Sequence, residues 1–382
     1  MRESDYLAKI FFDMKAILLT FPTLTFMAVM TFAQEKPLDM KMDFEEYDPP
    51  STLVVPEHRI TRAKYPFIDV HNHQFGMPTQ DLNQLLKEMD KLNMAVMVNL
   101  SGRGRGGAEY LEQSLANVKR TNARRLIVFT NMDFSAIDDP LWQERMVKQL
   151  EEDVKKGANG LKIYKSLGMF NNDSKGNRIH IDDPRIDPIW KKCGELGIPV
   201  LIHSADPKQF WQPIDKSNER WLELKLHPGR RHDTDPVSWE TIIAEQHNMI
   251  RKNPGTKFIN AHLGWFGNDL KKLGTLLDEM PNMFTEIGAV IAELGRQPRV
   301  AREFLIKYQD RVMFGKDSWV PEEYTTYFRV LETADDYFPY HKRYHAFWRM
   351  YGLDLPDEVL KKIYYKNALK VIPNIDSTQF PN

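Results

Sequence analysis

The stretch Phe67-Ile68-Asp69-Val70-His71-Asn72-His73 decides the fold. A short, mostly apolar run reads as a strand, and two histidines close it at i and i+2. Side chains two apart on a strand point to one face, so His71 and His73 point together. Two neutral imidazoles converging at a strand end make half of a metal site. Alone, a His-x-His pair carries little information, and its weight depends on what the rest of the chain sets beside it.

The pattern repeats downstream. Apolar runs recur at 94–100, 126–130, 160–163, 198–202, 257–261, 283–287 and 312–314. Most are separated by helix-length, charge-rich stretches such as 81–92 and 140–156. Strand-like runs alternating with helical patterns imply βαβ units around a parallel sheet. Eight such runs predict an α/β fold, a TIM-like (β/α)₈ barrel over residues 66–374, with an open doubly wound sheet as the alternative. Residues 34–65, with Pro37, Pro49, Pro50 and Pro56, read as an extended lead-in, and 375–382 as a tail. A long insertion follows strand five, between His203 and Lys257, and carries Trp211, Trp221 and Trp239. It reads either as a lid or substrate wall, or as a surface excursion packed on its own tryptophans. Residues 323–371 read as a C-terminal helical cap.

Polar residues cluster at one end of this frame. Strand five ends in Ile202-His203, strand six in Ala261-His262, and strand eight in Phe314-Gly315-Lys316-Asp317. Core histidines have no reason to share the C-terminal ends of several strands, whereas in a barrel those ends carry the chemistry.

Composition narrows the classes. The chain has 382 residues, 42% hydrophobic and 11% aromatic, enough to fill a large core. A formal net charge of -1 argues against a nucleic-acid or anionic-membrane surface. Cys193 is the single cysteine, so no intramolecular disulfide forms and no zinc site uses two thiolates. Residues 16–30 are uncharged and lead to Thr31-Phe32-Ala33, the parts of a secretory signal over residues 1–33, with Met14 as an alternative start. The run is short for a membrane span, so the expected product is secreted or periplasmic, with no stable span after cleavage. The other reading is an amphipathic N-terminal helix.

Taken together, His71-x-His73, His203, His262 and Asp317 resemble the amidohydrolase superfamily, specifically its amidohydrolase-related (amidohydrolase 2) branch. Supporting phrases are His203-Ser204-Ala205-Asp206-Pro207, Ala261-His262-Leu263-Gly264 and Lys366-Asn367-Ala368-Leu369. The resemblance runs over residues 67–373. It implies a divalent metal, zinc first and one ion ahead of two, held by His71, His73, His203 and Asp317. It also implies a metal-activated water that attacks an amide, lactone or ester carbonyl of a small molecule. Asp317 is then expected to move the nucleophile's proton to the leaving group. His262 is expected either to bind a second metal or to polarise the substrate carbonyl. Lys162, at the end of strand four, either bridges two metals as a carbamate or bridges nothing. Glu286 is either its ion-pair partner or a substrate group, and Tyr164, which shares the Lys162 face, is a further candidate for substrate binding. Lys316 departs from the small residue common at its position and turns away from Asp317.

Other candidates stand apart. The loop 101–107 is glycine-rich and reads as anion-binding, with Arg103 the foremost group, or as merely flexible. His341 and His345 read as a solvated helix face, and His227 and His232 as insertion residues able to meet substrate. His58, His180 and His247 have no evident partners. Two rivals to the hydrolase remain, a non-oxidative decarboxylase and a non-catalytic periplasmic barrel that binds metal or ligand.

Overall fold

The computed structural model describes residues 40–381 except 105, 122, 346 and 347. The signal expected over 1–33, and Arg105 of the glycine-rich loop, lie outside the described residues. Contacts divide the chain at Ser51. The described part of the first unit holds only a turn at 44–46, and the second unit runs from Thr52 to Asn382.

Each expected run forms a strand. They are β1 (Phe67–Asn72), β2 (Met94–Asn99), β3 (Leu126–Val128 with Thr130–Asn131), β4 (Leu161–Ile163), β5 (Val200–Ile202), β6 (Phe258–Asn260), β7 (Met283–Glu286) and β8 (Val312–Met313). All paired neighbours are parallel and follow chain order without reversal. A doubly wound sheet needs a reversal, so that alternative is excluded. Phe129 interrupts the ladder within β3, its N–H donating to Asn99 O at 2.9 Å while Thr130 N–H donates to Gly160 O at 2.9 Å. Across the seam, Val70 N–H donates to Phe314 O at 3.0 Å and Asp317 N–H to His71 O at 2.6 Å. The barrel therefore meets itself at β8 and β1.

The residues explain this. Every residue of β1 and β2 is buried, as expected of parallel strands covered on both faces. Phe67 and Phe314 pack at 4.7 Å between centroids, below the polar rim. Asp69 braces the seam by accepting hydrogen bonds from Tyr324 Oη (2.6 Å), Asn72 Nδ2 (2.9 Å) and Lys316 N (3.1 Å). The register pairs Ile163 with Ile202 and Ile202 with Asn260. Residues just beyond β4, β5 and β6 consequently emerge at one rim.

Two boundaries move. The last part of the expected insertion is a regular helix, Trp239–Lys252, capped by Ser238, so the excursion itself spans 204–238. The C-terminal cap is helical only in part. After helix Tyr324–Glu332 comes an antiparallel pair, Phe338–Pro339 with Arg349–Met350. Helical structure then resumes at Asp357 and passes through a π-turn, Lys362–Lys366, whose Ile363 O accepts from Phe314 N at 2.9 Å. Pro339 and Pro356 break the periodicity that suggested one long cap. His341 and His345 thus lie in the hairpin loop, half-buried and buried, and not on a solvated helix face. Among the described residues, no helix is long and apolar enough to cross a membrane.

Candidate functional site

The rim gathers five groups. His71 and His73 come from the end of β1, His203 follows β5, His262 follows β6, and Asp317 follows β8. His71 Nε2 lies 3.2 Å and His73 Nε2 3.7 Å from Asp317 Oδ1. His71, His262 and Asp317 each offer a donor atom within 4.8 Å of the other two. His203 packs edge-on to His262, with centroids 4.5 Å apart. All five expected residues are therefore brought together, and the tightest trio contains His262 rather than His203.

Hydrogen bonds fix which nitrogen of each ring faces inward. His262 Nδ1 lies 2.7 Å from Gly288 O, which can only accept, so Nδ1 carries the hydrogen and Nε2 presents a lone pair. His71 Nδ1 lies 2.9 Å from Glu286 Oε1, a buried carboxylate, so Nδ1 carries a hydrogen and Nε2 faces Asp317. His73 Nδ1 is 2.7 Å from Ser101 Oγ, which lies 3.1 Å from Tyr164 Oη, which in turn donates to Leu100 O at 3.2 Å. That chain ends on a carbonyl, so its hydrogens run one way and His73 Nε2 is also left free. Partners that hold one imidazole nitrogen and leave the other free are the second half of a metal site. His203 Nε2 is buried and has no hydrogen-bond partner. An orphaned buried nitrogen is costly unless something meets it, and this donor set fits a divalent cation.

Electrostatics agree. Burial, with the neighbouring charges of His71 and Lys162, lowers His73 to about 2. Burial also drives His203 well below its ordinary value and lowers His262, so these rings are neutral. Burial and the Lys162 charge oppose protonation of His71, but Glu286 and Asp317 outweigh them and raise its pKa. Burial works against ionised Asp317, yet the hydrogen bond and charge of His71 hold it well below the usual carboxylate range. Backbone strain gathers here too. Ala205, His262, Trp265, Ala289 and Asp317 all have positive φ, at 58°, 58°, 61°, 56° and 85°. Such conformations cost about 1–3 kcal/mol each and persist where surrounding structure imposes them.

Other expectations resolve differently. Arg103 does not face the site. Its Nε and Nη2 bind Asp153 at 2.9 and 3.0 Å, a pairing with a residue fifty positions away that the sequence does not reveal. Glu286 is chiefly an orienting group rather than Lys162's partner, because its oxygens accept from His71 Nδ1, His262 N (2.7 Å) and Gly288 N (2.5 Å). Burial opposes its ionisation, but His71 and His262 hold it at about 2. Lys162 points inward, 1% exposed, with Nζ 3.5 Å from His71 Nε2, and burial lowers it to about 8. Tyr164 stacks on His73 at 5.8 Å. Lys316 turns away to Glu323, at 2.5 Å. His58 pairs with Asp335 and His180 with Glu245. Sequence reasoning missed Ser101, Trp265 and Asp69. Trp265 stands 4.6 Å from His262, and the one available signal for Asp69 was a carboxylate inside an apolar strand.

Beside the five groups lies a cavity of about 220 Å³, whose lining includes His203, His262, Asp317, Lys165, Trp265 and, from the excursion, Phe210. A larger groove of about 840 Å³ is lined by Asp187, Lys191 and Thr256, at the opposite, N-terminal ends of the strands.

A parallel barrel with imidazoles and a carboxylate at its C-terminal rim defines a class, the barrel enzymes with a metal-type donor set. Within it, the sequence pattern of the amidohydrolase family matches residues 68–373, and the chain belongs to that family. It is an enzyme of the amidohydrolase superfamily. No curated protein matches it. Among solved structures, it resembles an uncharacterised TIM-barrel protein of Bordetella bronchiseptica, at 15% identity and TM-score 0.50, over 80% of this chain and 97% of that one. It also resembles 4-oxalomesaconate hydratase of Rhodopseudomonas palustris, at 16% identity and TM-score 0.48, over 82% and 97%. A third is 5-carboxyvanillate decarboxylase of Sphingomonas paucimobilis, at 17% identity and TM-score 0.42, over 78% and 84%.

Proposed function

We propose that the protein is an exported metal-dependent hydrolase that cleaves an amide, lactone or ester of a small molecule. The observation that carries the reading is the convergence of the Nε2 atoms of His71 and His73 on Asp317, with His203 Nε2 buried and unpartnered. His71, His73, His203 and Asp317 would hold one divalent cation, zinc being the ion that imidazole and carboxylate donors suit best. Bound there, such a cation acidifies water and polarises a carbonyl.

The chain's own residues supply the rest. Glu286 and Ser101 fix the His71 and His73 rings, so no reorganisation is needed when substrate enters. Asp317 stays ionised beside three imidazoles and takes the nucleophile's proton at its carboxylate, then delivers it to the leaving group. His262 offers a lone pair at Nε2, because Gly288 O holds its Nδ1 hydrogen. In that tautomer it accepts a proton, and it would steady an oxyanion only once protonated. Trp265 and Phe210 wall the cavity. The apolar run 16–30 supports export.

Product analysis tests the reading. The metal-loaded protein should convert members of a panel of esters, lactones and amides to an acid and a leaving group. Release of carbon dioxide from a carboxylated substrate, with no hydrolysis, would replace the hydrolase with a decarboxylase. Metal occupancy without any turnover would favour the binding barrel.

A further inference from the structure

The cavity has a second wall, made by the excursion and the hairpin loop. Arg220 and Arg230 face it from the excursion and Lys342 from the loop. The cations lining the cavity differ in one respect. Arg220 is bound by Glu223 (2.7 Å) and Glu293 (3.1 Å), Arg230 by Glu223 (2.6 Å), and Lys165 by Asp206 (2.6 Å). Among the described residues, Lys342 has no hydrogen-bond or ion-pair partner for its ammonium. His345, in the same lining, is 5% exposed and turns its Nε2 to Glu223 Oε1 at 3.5 Å, so its buried Nδ1 is an acceptor and does not compete for an anion. Glu223 is already shared among Arg220, Arg230 and His345, leaving no spare carboxylate for Lys342. The lining carries four cationic side chains against three carboxylates, before any metal is counted. Lys342 also acts on its surroundings, since its charge is one of the influences that lower Lys316 and His345.

We propose that Lys342 receives a carboxylate at the far end of the substrate, so that the substrate class is a small carboxylic acid bearing the scissile carbonyl. This rests on the reading of the His71–Asp317 group as the reacting end. The cavity, at about 220 Å³, is smaller than the usual ~300–1,000 Å³ of drug-sized ligand pockets, which restricts the occupant to a small molecule. An ammonium–carboxylate contact is a charge-assisted hydrogen bond, and its loss is read as a fall in affinity of about tenfold.

The test is calorimetric binding of succinate, glutarate and adipate, each against the monoacid of equal length, so that spacing is sampled. Metal content is measured first on every preparation. Wild type should bind its best diacid at least about tenfold more tightly than the matching monoacid. Lys342→Met should bring that ratio to within about twofold without altering monoacid binding, and Lys342→Arg should keep the preference. No diacid preference in wild type, or a preference that survives Lys342→Met, overturns the proposal. A metal-free protein with a Lys342-dependent preference would instead sink the metallohydrolase reading and leave the carboxylate subsite standing.

Discussion

Replacing Glu286 with glutamine tests how the rim is held. Glu286 Oε1 accepts from His71 Nδ1–H and His262 N–H, and Oε2 accepts from Gly288 N–H. Glutamine has one acceptor oxygen and one NH₂ group. The better orientation keeps the oxygen on the two histidines and sets NH₂ against Gly288 N–H, a buried donor facing a donor. An orphaned buried group costs about 1–3 kcal/mol, so the metal-free protein should lose that much stability. The neutral amide also withdraws the charge that makes His71 a better ligand. Losing such an outer partner weakens metal binding by about 10–100-fold, or about 1.4–2.7 kcal/mol. Chelator competition with zinc measures the affinity, and urea unfolding in chelator measures the stability. Zinc affinity within about twofold of wild type would refute the claim that Glu286 positions His71.

Other outcomes follow from the same geometry. His262→Asn should retain metal while turnover falls by about 10²–10⁴-fold, as for loss of a general acid–base group; metal loss in that variant would instead make His262 a ligand. A methyl group at Gly315 would lie 2.1 Å from Glu286 Oε2 and 3.1 Å from His71 Cβ, so Gly315→Ala should reduce zinc affinity as Glu286→Gln does, and an unaltered affinity would contradict the packing. His247 is 6% exposed, its Nε2 lacks a partner, and burial lowers it to about 4. Its neutral ring costs nothing above pH 6.5. Between pH 6.5 and 4 the unfolded chain takes a proton that the folded ring refuses, so stability falls, by about 2 kcal/mol at pH 5. In chelator, His247→Leu should lose about 2 kcal/mol less than wild type between pH 7 and pH 5, and parallel losses would count against it.

How much was legible in the sequence depends on how local the signal was. His71, His73, His203, His262 and Asp317 each follow an apolar run, and parallel pairing in register brings such positions to one rim whatever the helices do. The strand count and chain-order topology came from the same runs. Partners set by distant segments were not legible. Arg103 stands in a glycine-rich loop, as an anion-binding residue would, but Asp153 on a helix fifty residues away occupies it. Glu286 was visible as a strand-end carboxylate, yet its role depends on the approach of His71, more than two hundred residues away. His341 and His345 have helical spacing, but prolines at 339 and 356 and a two-strand pairing fix a hairpin instead. Lys342 carried no sequence signal, because what distinguishes it is the lack of a partner among the described residues.

The central claim is a metal bound at the strand ends, and metal content by plasma mass spectrometry tests it most directly. The purified protein is compared with a His71→Ala/His73→Ala double variant. The account predicts about one zinc per chain in wild type and none in the variant. No metal in freshly prepared wild type, and none taken up on reconstitution, would contradict it.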